Sequence, residues 1–216
     1  MRVLVACEYS GTVRDAFRAR GHDAWSCDLL PTEAPGQHIQ GDALDAANYG
    51  GPWDVMVAHP PCTHLAVSGA AWFKDKQHLQ AAALQFVRDL MAAPVPHICI
   101  ENPVSIISTE IREPDQIIQP YQFGEEVMKT TCLWLKNLPP LHHTKRVSRG
   151  EMVTMKSGER MSRWHYDSFR LPAKERGHAR SKTFSGIAQA MADQWGTLPD
   201  PTSLDSLLWA SAPGAA

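Results

Sequence analysis

Apolar runs and amphipathic stretches take turns along this chain. "RVLVAC" (2–7) is a short apolar run that stops at "EYSG". "TVRDAFRARG" follows, with Val13, Ala16 and Phe17 at helical spacing and Gly21 placed to end the helix. "HDAWSCDLL" reads as a second strand ending near Asp28, and "HIQGDALD" as a short third strand ending near Asp42. "WDVMVAHPP" is a fourth, stopped by Pro60 and Pro61, which cannot continue a central ladder. From about Lys76 to Ala93, Leu79, Ala83, Phe86, Val87, Leu90 and Met91 form one helical stripe. "HICIENP" is a fifth strand, ended by Pro103. Strands alternating with helices at these intervals predict an α/β fold: a Rossmann-like, doubly wound, mostly parallel sheet with helices on both faces.

Beyond Pro103 the pattern weakens. "EIREPDQIIQPYQFGEE" and "KTTCLWLKNLPPL" read as later strands that can run antiparallel. Residues 141–180 read as loop-rich. "SKTFSGIAQAMADQWG" places Ile187, Ala188, Met191, Ala192 and Trp195 on one helical face, stopped by Gly196. The expected organisation is a core over 1–138, a small insertion over 139–180, a closing helix over 181–196, and a mobile tail over 197–216 apart from a short "SLDSLLW" turn. No internal repeat is visible.

Charge sharpens this picture. The net charge is −2, yet residues 136–182 hold twelve Lys/Arg against four Asp/Glu, or +8, and the remainder carries −10. An acidic body with one basic segment suggests an anionic partner, although a solvated basic loop has the same composition. In "RMSRWHYDSFR", Trp164, Tyr166 and Phe169 interleave with Arg160, Arg163 and Arg170, and nucleic-acid binders combine such groups. No run approaches the roughly 18 apolar residues of a membrane span, and no signal peptide is read at the N-terminus, so a cytoplasmic protein without membrane attachment is expected. The five cysteines are odd in number and lack CxxC spacing, which disfavours a disulfide framework. Cys132 with His142 and His143 makes a poor metal set, and no metal is expected.

In an open parallel sheet, ligands bind beyond the carboxyl ends of the strands. Those ends carry Glu8, Tyr9, Ser10 and Gly11, then Asp28, Asp42, His59 with the Pro60-Pro61-Cys62 loop, and finally Glu101 with Asn102. A small-residue turn followed about 20 positions later by an acidic strand end suits a ribose-bearing cofactor; Asp28 fits, and so does a plain capping role. The turn is not GxGxxG, which disfavours a dinucleotide. A thiolate is a strong nucleophile, and two prolines would leave Cys62 at the working edge of the sheet with Glu101 arriving from the next strand. Cys7, Cys27 and Cys99 lie in strand-like runs and are expected in the core. His64 is open to three roles: general base, substrate contact or ordinary loop histidine.

In this order, EYSG, the acidic strand-two end, GDA, PPCTHL, ENP and SKTFSGIAQAMADQWG resemble the S-adenosylmethionine-dependent cytosine-C5 DNA methyltransferases, and most closely their short, phage-type members. The resemblance spans about residues 2–138 and 180–196; the first turn departs from the family's FxGxG, and ENP stands for its usual ENV. It implies the class I methyltransferase fold, with Cys62 as nucleophile toward carbon 6 of cytosine and Glu101 gripping the base edge and favouring protonation at N3. It places Glu8, Tyr9, Ser10, Gly11, Asp28, Asp42, His59, Pro60 and Thr183, with Ser181 nearby, around S-adenosylmethionine. On the substrate side it implies His64, Ser68, Asn102, Lys129, Arg163 and Trp164, with Lys129 standing in for the family's base-supporting arginine. The target base would be flipped out of DNA, and "THLAVSGAAWFKDK" could close over it. The family's large recognition domain is reduced to residues 139–180, which implies phosphate contacts and short or relaxed sequence specificity. Protection of a phage genome from host restriction follows only from the resemblance, and no obligate protein partner is implied. Competing readings are C5 modification of a free pyrimidine nucleotide or of RNA, and a non-catalytic nucleic-acid-binding relative.

Overall fold

The computed structural model describes residues 1–67, 77–155, 158 and 160–198. Its centre is a seven-stranded sheet. Strand β1 (Arg2–Ala6) lies between β2 (Asp23–Asp28) and β4 (Val55–Ala58), with β3 (His38–Gln40) outside β2 and β5 (His97–Asn102) beyond β4. All these pairings are parallel. Strand β7 (Thr131–Lys136) then runs antiparallel between β5 and β6 (Gln116–Ile118), as the later strands were expected to be able to do. The resulting order is β3-β2-β1-β4-β5-β7-β6, so the chain reverses direction of progress between β1 and β4. A crevice opens at such a switch point.

Residues alternate across β1 to feed two cores, one on each side of the sheet. Val3 and Val5 face α1 (Thr12–Arg18) and α7 (Ser185–Trp195), meeting Phe17, Met191 and Trp195. Leu4 and Ala6 face α2 (Ala43–Tyr49) and α3 (Gln77–Ala92), meeting Ala46, Leu84 and Leu90. Helices on both faces explain why the central strands read as unbroken apolar runs. Burying Phe17 completely contributes about 1.5–3 kcal/mol. The α/β, doubly wound, mostly parallel sheet is thus the fold class that the apolar pattern predicts.

Several elements depart from expectation. Helix α1 ends at Arg18 with Ala19 as its cap; Gly21 takes the left-handed turn two residues later, at φ 82°. Strand β3 stops at Gln40, and Asp42 caps α2, a helix the apolar pattern did not predict. A short helix α4 (Ile107–Glu110) follows β5. The stretch 141–180, read as loop, contains a hairpin of β8 (Met152–Thr154) and β9 (Arg160–Ser162), then α5 (Arg163–Ser168) and α6 (Ala173–Ser181). The expected closing helix begins only at Ser185. Ser68, most of the stretch expected to close over the base, and the tail from Pro199 fall outside the described residues.

Candidate active site

The parallel strands share one C-terminal edge, and two clusters of side chains gather there. The first surrounds Cys62. Its loop folds back on itself, Leu65 and Ala66 donating their amides to the Cys62 carbonyl at 3.0 and 2.9 Å. It is then stitched to the chain after β5: Ile106 donates to Leu65 O at 2.9 Å, Val67 donates to Val104 O at 3.2 Å, and Ala66 bridges Ser105. From β5 itself, Asn102 Nδ2 donates to Pro60 O at 2.8 Å. Asn102 is only 1 % exposed, so it stands under the loop as a fastening; this differs from the substrate contact expected of it, because its amide is turned inward to a carbonyl that the prolines leave unpaired. The same bond explains the place of Pro60, whose carbonyl it engages.

So held, Cys62 is exposed, whereas Cys27, Cys99 and Cys132 are buried. Burial of its surroundings and the charge of Glu101 raise its thiol above the ordinary value, against a lowering pull from its own backbone amide and from Lys129. Glu101 sits at the end of the neighbouring strand, 12 % exposed, with Oε2 2.9 Å from Nδ1 of His59. Burial would raise its carboxyl, but the His59 hydrogen bond, the His59 charge and Lys129 outweigh that and hold it below the ordinary range. Cys62, Glu101, His59 and Lys129 therefore form one electrostatic unit.

Lys129 lies just before β7, and its ammonium donates to the carbonyls of Arg180 at 2.8 Å and Lys182 at 3.3 Å. It also stands 5.9 Å from the Trp164 ring centre and 5.6 Å from that of Phe184. Trp164 thus joins the site through Lys129. Arg163 does not join it: its guanidinium pairs with Glu151 at 3.2 Å and Asp167 at 3.9 Å, carboxylates within the insertion. His64 follows Cys62 with a buried Nδ1 that has no hydrogen-bond partner among the described residues.

The second cluster lines a cavity of about 50 Å³ made by Cys7, Glu8, Tyr9, Ser10, His59, Ser181, Lys182 and Thr183. This brings together Glu8, Tyr9, Ser10, His59 and Thr183 from the expected cofactor set. Cys7, expected in the core, is half-buried here, in a left-handed conformation (φ 59°) at the end of β1. Such a backbone is uncommon for a residue with a side chain and concentrates at functional sites. Glu8 points at the start of α1, accepting from Val13 N at 2.7 Å and Arg14 N at 3.2 Å. Gly11 precedes that helix at φ 77°, where a Cβ would lie 2.4 Å from Nη2 of Arg14. Asp28 and Asp42 do not line the cavity: each side chain accepts the amide two residues on, Leu30 N at 2.9 Å and Leu44 N at 2.7 Å, as capping carboxylates do.

Ser181, expected beside Thr183, does reach the cavity, but two other features have no counterpart in the sequence analysis: buried Arg14 and the ion-paired latch of His178 and Lys182. Arg14 is wholly buried, and its guanidinium donates to Ser26 Oγ, Thr32 Oγ1, and the carbonyls of Ala34 and Pro35, tying the β2–β3 connection to α1. The end of α6 crosses the cavity as a strap. Tyr9 Oη lies 3.0 Å from His178 Nδ1 and 3.1 Å from Ser181 Oγ, while Glu33 pairs with His178 at 2.9 Å and Lys182 at 2.8 Å. These contacts join residues about 150–170 positions apart, beyond the reach of any local pattern.

The sequence matches no known family profile, and no curated protein matches it. Among solved structures, one similar chain is described as a "putative DNA modification methyltransferase" encoded within an E. coli prophage, at 13 % identity and a TM-score of 0.39, covering 62 % of this chain and 46 % of that one. Another is the 16S rRNA methylase RmtB, at 14 % identity and a TM-score of 0.32, covering 62 % of this chain and 54 % of that one. The chain spans about half the length of these structures. Among the described residues, no helix is long and apolar enough to cross a membrane, and no group of His, Cys, Asp and Glu could hold a metal ion.

Proposed function

We propose that this protein transfers a methyl group from S-adenosylmethionine to carbon 5 of cytosine in DNA, through a transient bond between Cys62 and carbon 6 of the ring. One observation carries the reading: an exposed thiol sits on the loop that Asn102 of β5 fastens through Pro60 O, at the same sheet edge where Glu101 stands on the neighbouring parallel strand. A thiol and an acid so placed can act on one ring, the sulfur adding to carbon 6 and the carboxyl gripping the N3 edge. Lys129, coupled to both and seated against Trp164 and Phe184, supports the base in place of the family's arginine.

The chemistry of the second cluster supports the same reading, with the strap over it open. Rossmann-like dinucleotide folds seat a diphosphate on the first helix N-terminus. Here the Glu8 carboxylate fills that place, so a diphosphate is disfavoured and a cofactor with cationic sulfonium and ammonium groups suits it. When bound, S-adenosylmethionine supplies an electrophilic methyl group. Tyr9, Ser10, His59, Ser181 and Thr183 line its cleft. The basic insertion then meets DNA phosphates, with short or relaxed sequence specificity.

The test is incubation with tritiated S-adenosylmethionine and an oligonucleotide carrying 5-fluorocytosine. A denaturation-resistant complex forms with the native protein and not with Cys62→Ser. Equal trapping by the serine variant, or none by the native protein, would overturn the reading. Because Cys62 is exposed, the substitution changes stability by no more than about 0.5 kcal/mol.

A further inference from the structure

His59 was expected beside the cofactor, yet it also holds the acid of the site. Strands β4 and β5 run parallel with Ala58 opposite Ile100, so the next residues, His59 and Glu101, stand side by side. Their side chains are 10 % and 12 % exposed, and Nδ1 meets Oε2 at 2.9 Å. The other ring nitrogen, Nε2, is buried and has no hydrogen-bond partner among the described residues, while the ring itself lines the cofactor cleft. One imidazole therefore spans the wall between the cleft and the base-edge acid.

We propose that His59 is the proton-holding and positioning partner of Glu101, supplying through it the proton that ring N3 takes when Cys62 adds to the base; this rests on the function proposed above. The Cys62 thiol first releases its proton to solvent. The sulfur then bonds to carbon 6, the C5–C6 double bond shifts to C4–C5, and the N3–C4 π pair becomes a lone pair on N3. Glu101, ionised because its carboxyl is held below the ordinary range, accepts the Nδ1 proton of the protonated His59 ring and hands it to N3, so Glu101 ends again as a carboxylate and His59 ends neutral. The thiolate charge is consumed in the carbon–sulfur bond, so the site carries the same net charge before and after. The groups that face this pair are Cys62 from the loop after β4, Cys99 on β5, Cys7, Glu8 and Tyr9 after β1, Lys129 before β7, Cys132 on β7, and Lys182 after α6. Lys129 is the cation among them whose charge acts on Glu101.

The role separates from mere packing because Asn and Gln keep a polar contact to Glu101 and cannot supply a proton. In His59→Gln and His59→Asn, the single-turnover rate of methyl transfer falls roughly 10²-fold, at the low end of what a positioned acid contributes, while KM for DNA stays within about twofold. The pH profile also changes, since the alkaline limb set by loss of the shared proton disappears. Nitrogen-15 NMR of the native protein, read without DNA or cofactor, shows both ring nitrogens of His59 protonated, with an Nδ1 signal that moves in Glu101→Gln. A neutral His59 ring, or full-rate transfer by both His59 variants with an unaltered pH profile, overturns this role alone. A native protein that shows the Nδ1 proton and forms no covalent complex with 5-fluorocytosine DNA overturns the underlying function, and the role with it.

Discussion

The Cys62 thiol is pulled in two directions, by its surroundings and Glu101 toward the protonated form and by Lys129 toward the thiolate. Thiolates, not thiols, react with alkylating agents. Replacing Glu101 with Gln removes a raising charge, so iodoacetamide at pH 7 is expected to label Cys62 about 3- to 10-fold faster. Lys129→Met removes the opposing charge and slows the same reaction. Peptide mass spectrometry after timed alkylation reads both, and unchanged or reversed rates would mean that neither group acts on the sulfur. The reactive pair was legible at the level of single residues because PPC and ENP each end a parallel strand. Placing His59 against Glu101 required the strand register, which no spacing along the chain reveals.

Helix α1 is held by a cation that the core has swallowed. Arg14 donates to two hydroxyls and two carbonyls and pairs with Asp15 at 2.8 Å. Arg14→Met leaves those acceptors short of a donor and is expected to cost about 2–4 kcal/mol in urea unfolding. A loss under about 0.5 kcal/mol would show that the β2–β3 connection does not depend on it. No sequence pattern announced this residue, since an Arg in the first turn of an amphipathic helix reads as exposed. Elements with something to bury were legible: β1, β4, β5 and α7 carry apolar runs or stripes that the two cores absorb. Helix α6, "AKERGHARS", buries none of its residues, so it has no hydrophobic period to detect. Strands β8 and β9 are three residues each, too short for alternation to show. Helix α2 is an Ala-rich seven-residue piece signalled only by its Asp42 cap.

Across the whole molecule, the basic segment differs from an open stacking platform. Arg170 lies 5.3 Å over the Tyr166 ring, Arg180 4.5 Å over Phe169, and Arg149 5.6 Å over Tyr121. These aromatic faces already carry the protein's own cations, so the surface offers positive charge more than free rings. Binding to DNA should accordingly be governed by phosphates, with log K falling against log salt by about 0.9 per phosphate neutralised. Fluorescence anisotropy of Arg170→Ala is expected to show weaker binding at low salt and a slope shallower by about one, alike for unrelated sequences. A loss confined to one sequence would instead make this arginine a base reader. The strap of His178, Ser181 and Lys182 gives this electrostatics a second outlet. It belongs to the basic stretch that would face DNA, and it also latches the cleft shut through Glu33 and Tyr9. With room inside for little more than a water molecule or two, nothing the size of a nucleoside passes unless the latch lifts. If the DNA proposed above draws His178 and Lys182 toward its phosphates, it competes with Glu33 for them, and the opening of the cleft is then coupled to the polymer's arrival.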